Sequence, residues 1–375
     1  MKESETVSPS ERPTIGVLTA RKELKFDTPV FFQDLAIAAA ALGAQLFLFS
    51  PDDVELSDGS IRGFIPDPIT LTYQEDTFTN PNLILDRYLP YRKSFDELQK
   101  YQEIRQNPAF RIVNSCLPDK WNVYQILKAK PTVVKNLPTT RLYSSKTLRQ
   151  MIKRYETVYM KPLHETGGRG IIKITHKRKG YSLYARDLHR VQSYSRVTSL
   201  EELLARIQKI TLGHAYLVQQ GLDLSLVENR VTDMRLLLQK TENGEWSVTG
   251  YGMRVGAKNS PTSNLHGGGI GKPVQLLYSR FGKKRSKRIR QRFLKLAYRV
   301  GRTIEKHCGQ MVEMGLDIGI DTRGKVWLIE VNGMPGRQIF KQMDRMNLYR
   351  KAVSSPLRYI LGLLSIKSSE KKAQT

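Results

Sequence analysis

The sequence is poor in the residues that build metal centres and nucleophilic sites. Only Cys116 and Cys308 occur, far apart and without a CxxC pair, and the six histidines are scattered. This distribution lacks the ligand spacing of a zinc site and predicts two reduced thiols. We also find no Ser-His-Asp or Cys-His arrangement, so the sequence does not indicate catalysis through a covalent nucleophile.

Long apolar runs and the common phosphate-loop motifs are also missing. No stretch approaches the ~20 uncharged apolar residues of a membrane span, and the opening MKESETVSPSERP is polar where a signal peptide has an apolar core. We therefore expect a cytoplasmic protein. The first predicted strand, TIGVLTA, is not followed by GxGxxG, and GxxxxGK[ST] does not occur. An ordinary dinucleotide site and a Walker loop are thus not indicated.

Acidic residues are heavily outnumbered. The chain has 61 lysines and arginines against 35 aspartates and glutamates, a net charge of +26 at pH 7. Such a charge attracts polyanions, among them nucleic acid, an anionic polymer, an acidic protein surface or a nucleotide. The densest cluster, Lys283 to Arg292, is open to two interpretations, a solvated helix face and a docking surface for an acidic partner. It has no interleaved aromatic residues for base stacking, which disfavours nucleic-acid binding.

The apolar pattern predicts an α/β (α+β) protein in several parts. The 375 residues, 40% of them hydrophobic, can bury a substantial core. Residues 13–118 alternate strand and helix patterns as in a small parallel α/β domain. We expect a central region over 119–218 and an antiparallel region over 219–365 with a basic helix from about Ser286 to His307. We expect residues 1–12 to be a disordered tail and 366–375 a polar tail.

Three oxygen-bearing side chains lie on the last predicted pair of strands. The segments EMGLDIGID and KVWLIEVN are joined by a short turn, which places Asp317 beside Glu330. Asn332 follows Glu330 by two residues and faces the same side. Such hard oxygen donors are the ligands that Mg²⁺ prefers when phosphates complete its shell. The alternative is a set of cross-strand polar residues on a wet sheet face.

A lysine and a glycine-rich turn form the second notable feature. In VYMKPLHETGGRGIIKI, Lys161 ends an apolar strand before the loop from Thr166 to Gly170, and a second apolar strand follows. A lysine can bind a phosphate as a point charge, and a glycine-rich turn brings backbone N–H groups close to phosphate oxygens. The segment therefore predicts a phosphate lid, with a plain β-hairpin as the alternative.

Several motifs occur in an order that resembles the ATP-grasp fold. They are DKW at Lys120, MKP at Lys161 with GGRGI behind it, VQQ near 219, DMR at 233, NLHGGG at 264, Asp317 and EVN at 330. With the preceding α/β domain, this series resembles the YheC/YheD family of endospore coat-associated ATP-grasp proteins. It is also similar to RimK ligases and glutathione synthetases. The resemblance covers most of the chain.

The resemblance implies a fold and a set of nucleotide-binding residues. It implies an N-terminal Rossmann-like pre-ATP-grasp domain followed by two α+β subdomains that grip ATP. It places Lys120 and Lys161 on the ATP phosphates, under a lid that includes Gly167, Gly168, Arg169 and Gly170. It places adenine at the hinge, against Gln219, Gln220 and Leu222, with Met160 and Leu328 as apolar walls and Asp223 as the candidate ribose ligand.

The remaining implied residues belong to the metal and the substrates. Asp317, Glu330 and Asn332 match the ligands of two Mg²⁺ ions, with Mn²⁺ as the alternative, and Arg235, Arg254 and Asn264 match residues that face the acyl phosphate and substrate. The chain departs from many relatives at Gln220, where they carry an acid.

The resemblance therefore implies an ATP- and Mg²⁺-dependent carboxylate–amine ligase that forms amide bonds in spore coat formation. The alternative is an inactive ATP-binding scaffold for coat assembly.

Overall fold

The computed structural model describes residues 12–23, 25–90, 94–165, 167–258, 260, 262–263, 265 and 268–373, with side chains described up to residue 365. Its N-terminal part is a six-stranded sheet in the order β6-β5-β4-β1-β7-β8. The elements are β1 (Thr14–Leu18), β2 (Arg21–Lys22), β3 (Lys25–Phe26), α1 (Pro29–Ala41), β4 (Gln45–Phe49), β5 (Ser60–Pro66), β6 (Tyr73–Thr79), β7 (Leu83–Asp86), α2 (Phe95–Gln106) and β8 (Ile112–Val113).

This sheet is mixed, which corrects the expectation of a parallel domain. The strands β1, β4, β7 and β8 run parallel, whereas β5 and β6 form an antiparallel hairpin on one edge. Strand β6 is mostly exposed and reads YQEDTFT, so it lacks the apolar run that marks a buried strand.

The central part is an antiparallel sheet in the order β13-β12-β11-β10-β14-β9. Its elements are α3 (Lys120–Lys128), α4 (Pro131–Val134), β9 (Thr140–Leu142), α5 (Ser145–Arg154), β10 (Thr157–Pro162), β11 (Ile172–Lys177), β12 (Gly180–Arg186), β13 (Gln192–Val197), α6 (Leu200–Thr211) and β14 (Tyr216–Gln220). Helices α5 and α6 cover one face and share an apolar core with it. The boundary expected after residue 218 falls inside β14.

The C-terminal part is a five-stranded antiparallel sheet in the order β17-β16-β15-β18-β19. Its elements are β15 (Thr232–Lys240), β16 (Trp246–Val255), β17 (Ile270–Lys272), α7 (Leu276–Cys308), β18 (Glu313–Ile320), β19 (Val326–Asn332), α8 (Gln338–Gln342) and α9 (Met346–Ala373). The basic helix α7 begins ten residues earlier than predicted, with a non-helical residue at Gly282 (φ 70°). Helix α9 continues to Ala373, into the predicted tail.

The three sheets meet around one cleft. Helix α7 covers one face of the C-terminal sheet, and a core shared by α1, α9 and the N-terminal sheet includes Leu237 of the other face. The face of the central sheet that α5 and α6 do not cover lies opposite β18 and β19 across this cleft. Within the described part of the chain, no helix has the length and apolarity to cross a membrane.

Candidate functional site

A cleft of about 530 Å³ lies where α3, β10, the glycine loop and the ends of β18 and β19 come together. A smaller pocket of about 90 Å³, which we call the hinge pocket, adjoins it and is lined by residues such as Tyr159, Gln220, Leu222 and Ile329. Lys161, Ile171, Asp317 and Glu330 line both. An elongated ligand can therefore extend from the hinge pocket into the cleft.

The structure brings the three predicted oxygen donors to the floor of this cleft. Asp317 on β18 is the register partner of Glu330 on β19, and Asn332 pairs with Gly315. A β-bulge follows at Asp317/Ile318, which adds one residue to β19 there and re-aims its side chains. The Asn332 amide nitrogen is buried and has no hydrogen-bond partner in the described structure, so this donor lacks an acceptor within the described chain.

Two arginines hold Asp317 from neighbouring strands. Arg235 on β15 donates from Nε to Asp317 Oδ1 at 2.7 Å, and an Arg254 terminal nitrogen lies 3.0 Å from Asp317 Oδ2. Arg254 also donates from Nε to Asp233 Oδ1 at 2.7 Å. Burial alone would raise the pKa of Asp317, but the two guanidinium groups hold that pKa below its ordinary value. Asp317 is therefore a fixed anion.

The two predicted phosphate lysines reach the cleft from different elements. Lys120 begins α3, behind the N-cap Asp119. Its Nζ lies 3.6 Å from Glu330 Oε1 and donates to the backbone oxygens of Leu163 and Glu165, just before the lid. Lys161 donates from Nζ to Gln219 Oε1 at 2.7 Å. Burial lowers the pKa of Lys161, and the charge of Glu330 opposes that shift.

The glycine loop has a backbone that requires glycine. Gly167, Gly168 and Gly170 have φ values of 66°, 78° and 69°, in the left-handed region that other residues avoid. A Cβ at Gly170 would also lie 2.9 Å from Pro162 Cγ and from the Tyr216 hydroxyl. The loop is therefore both tightly turned and closely packed at its second end.

The predicted hinge residues differ in whether they line the hinge pocket or hydrogen-bond to other groups of the chain. Gln219 donates from Nε2 to Thr140 Oγ1 at 3.1 Å while its oxygen holds Lys161. Gln220 and Leu222 line the hinge pocket. Asp223 accepts from the hydroxyls of Ser225 and Thr322 and lines neither the hinge pocket nor the cleft as described.

The predicted apolar walls are placed differently. Met160 is fully buried in the core beneath α5 and α6, so the structure does not bring it to the hinge pocket. Leu328 lines a third pocket of about 70 Å³ beside Lys120, which shares Lys161, Gln219, Ile329 and Glu330 with the hinge pocket. Tyr159 and Ile329 line the hinge pocket instead. Alternation along β10 contains this signal, because a strand that points Lys161 into the cleft points residue 159 the same way.

The comparison with protein families decides the membership of this chain. Residues 109–363 match the family described as YheC/D like ATP-grasp. The chain belongs to that family. It is 28% identical over 343 residues to the endospore coat-associated protein YheD of Bacillus subtilis (strain 168), covering 88% of this chain and 74% of YheD. It is 24% identical over 330 residues to YheC of the same organism, covering 87% of this chain and 89% of YheC.

Solved structures show the same fold at low sequence identity. D-cycloserine synthetase DcsG superposes with a TM-score of 0.54 and 11% identity, covering 91% of this chain and 98% of that chain. D-alanyl-alanine synthetase A of Vibrio cholerae superposes with a TM-score of 0.52 and 12% identity, covering 92% and 99%. The predicted ATP-grasp fold is thereby confirmed.

The oxygen donors of this YheC/D-like chain suit a divalent cation. Asp317, Glu330 and Asn332 offer two carboxylates and an amide oxygen, a hard-donor set typical of Mg²⁺ or Mn²⁺. Glu330 already faces a cationic group, the Lys120 ammonium, 3.6 Å away. These donors therefore suit a divalent cation, and metal binding at this site stays a prediction.

Other predictions fall outside the cleft or outside the described residues. Asn264 and Thr166 lie outside the described residues. Arg337, which follows the segment MPG, is 3% exposed and is bound to Glu313 and to the Ala352 oxygen. The basic cluster of α7 alternates exposed charges with buried Ser286 and Ile289, and none of its residues lines the cleft as described. Its role as a docking surface stays a prediction.

Proposed function

We propose that this protein is an ATP- and Mg²⁺-dependent ligase that joins a carboxylate to an amine through an acyl phosphate. One observation carries the proposal: Lys120, Lys161, Asp317, Glu330 and Asn332 all line one cleft, although they come from four elements spread along the chain. Lysines beside clustered oxygen donors suit a nucleotide triphosphate with its metal.

The pocket arrangement supports a direction for the nucleotide. Tyr159, Leu222 and Ile329 give the hinge pocket apolar surface, and Gln220 gives it hydrogen-bonding groups, a combination suited to a flat heterocyclic base. Lys161 lies where the pocket opens into the cleft. The base would occupy the hinge pocket, and the phosphates would extend beneath Gly167 to Gly170.

The reaction uses the charged side chains that line the cleft. A substrate carboxylate oxygen attacks the γ-phosphorus, the bond to ADP breaks, and an acyl phosphate forms. The amine nitrogen then attacks the acyl carbon, phosphate leaves and the nitrogen loses a proton. Lys120 and Lys161 would offset charge on the transferred phosphoryl group, and a bound Mg²⁺ (or Mn²⁺) would add to that neutralisation. Arg235 and Arg254 would hold Asp317 and face the acyl group.

The biological setting is proposed from the relatives alone. The two Bacillus subtilis relatives are named as endospore coat-associated proteins, and we propose that this chain acts in coat formation. A second candidate function is an ATP-binding scaffold without turnover. It is favoured by Gln220, whose side-chain oxygen accepts the Thr139 N–H at 3.2 Å and is thus satisfied within the protein.

The test separates these functions by measuring nucleotide binding and ADP release together. We expect saturable MgATP binding and ADP release when the protein receives ATP, Mg²⁺ and mixed amino acids or spore extract. Glu330→Ala and Lys161→Ala should weaken binding about 10-fold or more, whereas Lys146→Ala, which removes an exposed lysine of α5, should not. Unchanged affinity in both cleft variants would refute the site. Tight binding without ADP in every mixture would favour the scaffold.

A further inference from the structure

The strand and turn next to the glycine loop, and the loop itself, carry three arginines, one buried and two partly buried, that the ligase reaction above does not use. Arg186 ends β12, Arg190 precedes β13, and Arg169 lies in the glycine loop; we call these three the lid arginines. Arg186 is 3% exposed. Its Nε and one terminal nitrogen are buried without a hydrogen-bond partner in the described structure, as is Nε of Arg190. Unpaired buried guanidinium donors are costly, so they point to a partner outside the chain.

The strand geometry directs these arginines to the cleft side of the central sheet. On β12, Leu183 and Ala185 are buried in the core beneath α5 and α6, so alternation turns Arg186 to the opposite face, which also carries Lys161. Its backbone N–H donates to the oxygen of Ile171, a cleft residue, at 2.8 Å. Arg169 and Arg190 line the cleft itself, whereas Arg186 lies on the same face of the sheet but is not one of the cleft-lining residues as described.

The turn that presents Arg190 is strained and firmly bonded. Arg190 has φ 69°, a left-handed conformation that costs free energy for a residue other than glycine. Its N–H donates to the Asp187 backbone oxygen at 3.1 Å, and Val191 N–H donates to Asp187 Oδ1 at 2.7 Å. Gly170 N–H also donates to the Asp187 oxygen, at 3.1 Å. The turn and the glycine loop are therefore one connected unit.

Nothing described in the chain neutralises this charge. Among the described residues, none of the lid arginines forms an ion pair with a carboxylate, whereas Arg235 and Arg254 both do. Burial and the charges of Arg169 and Arg186 lower the pKa of Arg190. The hinge pocket shares Lys161 and Ile171 with the cleft but includes no lid arginine. The charges of Arg169 and Arg190 thus lie in the cleft, away from the proposed base position.

We propose that the lid arginines, chiefly Arg186 and Arg190, bind an anionic carboxylate or phosphate group of the substrate that the enzyme activates. This inference rests on the proposed ligase function, and it deepens it: the substrate carries a second negative charge besides the carboxylate that is phosphorylated. Guanidinium groups suit such oxyanions because their paired donors match two oxygens at once.

The test is an NMR titration of the full chain with glutarate, phenyl phosphate and butyrate, with and without Mg²⁺ and a non-hydrolysable ATP analogue. Glutarate or phenyl phosphate should bind better than butyrate, which has one carboxylate only. Arg190→Gln, chosen because its side chain is only partly buried, should weaken that binding about 10-fold and leave affinity for the analogue unchanged. Arg196→Gln removes an equal charge from the exposed face of β13 and should change neither.

Each outcome bears on the proposal. A preference for glutarate indicates that the second anionic group of the substrate is a carboxylate, and a preference for phenyl phosphate indicates that it is a phosphate. Either result supports the inference. Wild-type protein that binds neither better than butyrate would overturn it. So would an Arg190→Gln variant that loses analogue affinity instead, because the arginine would then belong to the nucleotide site. Failure of the wild type to bind the analogue would count against the proposed function, not against the anion site.

Discussion

Strand β18 carries two acidic residues that face the same way and are both held by two arginines, yet they differ in what surrounds them. Glu313 is 1% exposed and is bound by Arg87 at 2.7 Å and by Arg337. Gln239 donates to it at 2.8 Å as well. Asp317, four residues later, is bound by Arg235 and Arg254 but lines the cleft.

The difference shows how one motif serves two purposes. The arginines on Glu313 come from the N-terminal part and from the segment before α8, and both pack against the Phe31 ring, at 4.6 and 4.7 Å. All of these groups are satisfied by other groups in the chain, so the cluster fastens the parts together. At Asp317 the cluster ends at a cavity with Glu330 and Asn332 beside it. There the paired carboxylate borders open space instead of further protein.

The largest effect should come from breaking the closed cluster. Glu313→Ala leaves Arg87 and Arg337 buried without their carboxylate, and it should lower the free energy of unfolding by about 3–5 kcal/mol. Urea denaturation would measure this loss. Affinity of the remaining folded protein for MgATP should stay within about 2-fold of wild type. A loss of unfolding free energy below about 1 kcal/mol would show that the cluster does not fasten the parts.

Asp317→Asn should have the opposite effect, with a small loss of stability and a large loss of nucleotide affinity. Arg254 keeps Asp233 and Arg235 lines the cleft, so we expect a smaller loss of unfolding free energy than in Glu313→Ala, about 1–3 kcal/mol. Mg²⁺-dependent nucleotide affinity should fall about 10- to 100-fold. Calorimetric titration with and without Mg²⁺ separates the metal-dependent part. If the variant instead unfolds as readily as Glu313→Ala, the distinction between the two clusters is wrong.

The sequence identifies the oxygen donors because their placement is local. Asp317 and Glu330 lie on strands joined by a short turn, and Asn332 follows by period two, so no long-range information is needed. The sequence does not predict the ion pairs that Arg235 and Arg254 form with Asp317. It depends on β15 lying between β16 and β18, which the strand patterns do not specify.

The other differences also have physical causes. The sequence does not indicate the β5–β6 hairpin because its outer strand is exposed and polar. It predicts a start of α7 that is ten residues too late because Gly282 interrupts the helical pattern. The unpaired lid arginines follow from which face of β12 is buried. In an arginine-rich sequence, composition alone cannot single them out.

A third carboxylate with two arginines, Asp53, extends the comparison to the N-terminal sheet and predicts a pH effect. Burial opposes ionisation, but Arg21, Ser50 and Arg62 lower the pKa of Asp53 from 3.8 to about 2. A lowered folded-state pKa stabilises above the unfolded value of 3.8, and this stabilisation is lost as pH falls towards 2. Asp53→Asn should therefore cost ~1–2 kcal/mol at pH 6 and almost nothing at pH 2. Urea denaturation across that range measures it; a constant difference would contradict the ionic origin.

The smallest expected effect is on ATP affinity and concerns two neighbouring residues on β10, one that lines a pocket and one that is enclosed in the core. Tyr159 lines the hinge pocket, and Met160 lies in the core on the other face. Tyr159→Ala removes one wall of the proposed base site. It should lower the affinity for ATP about 5-fold, because less apolar surface is buried on binding. Met160→Leu nearly conserves volume and should leave ATP affinity unchanged. Fluorescence titration of both variants decides the matter, since weaker binding in Met160→Leu alone would place the base on the opposite face of β10.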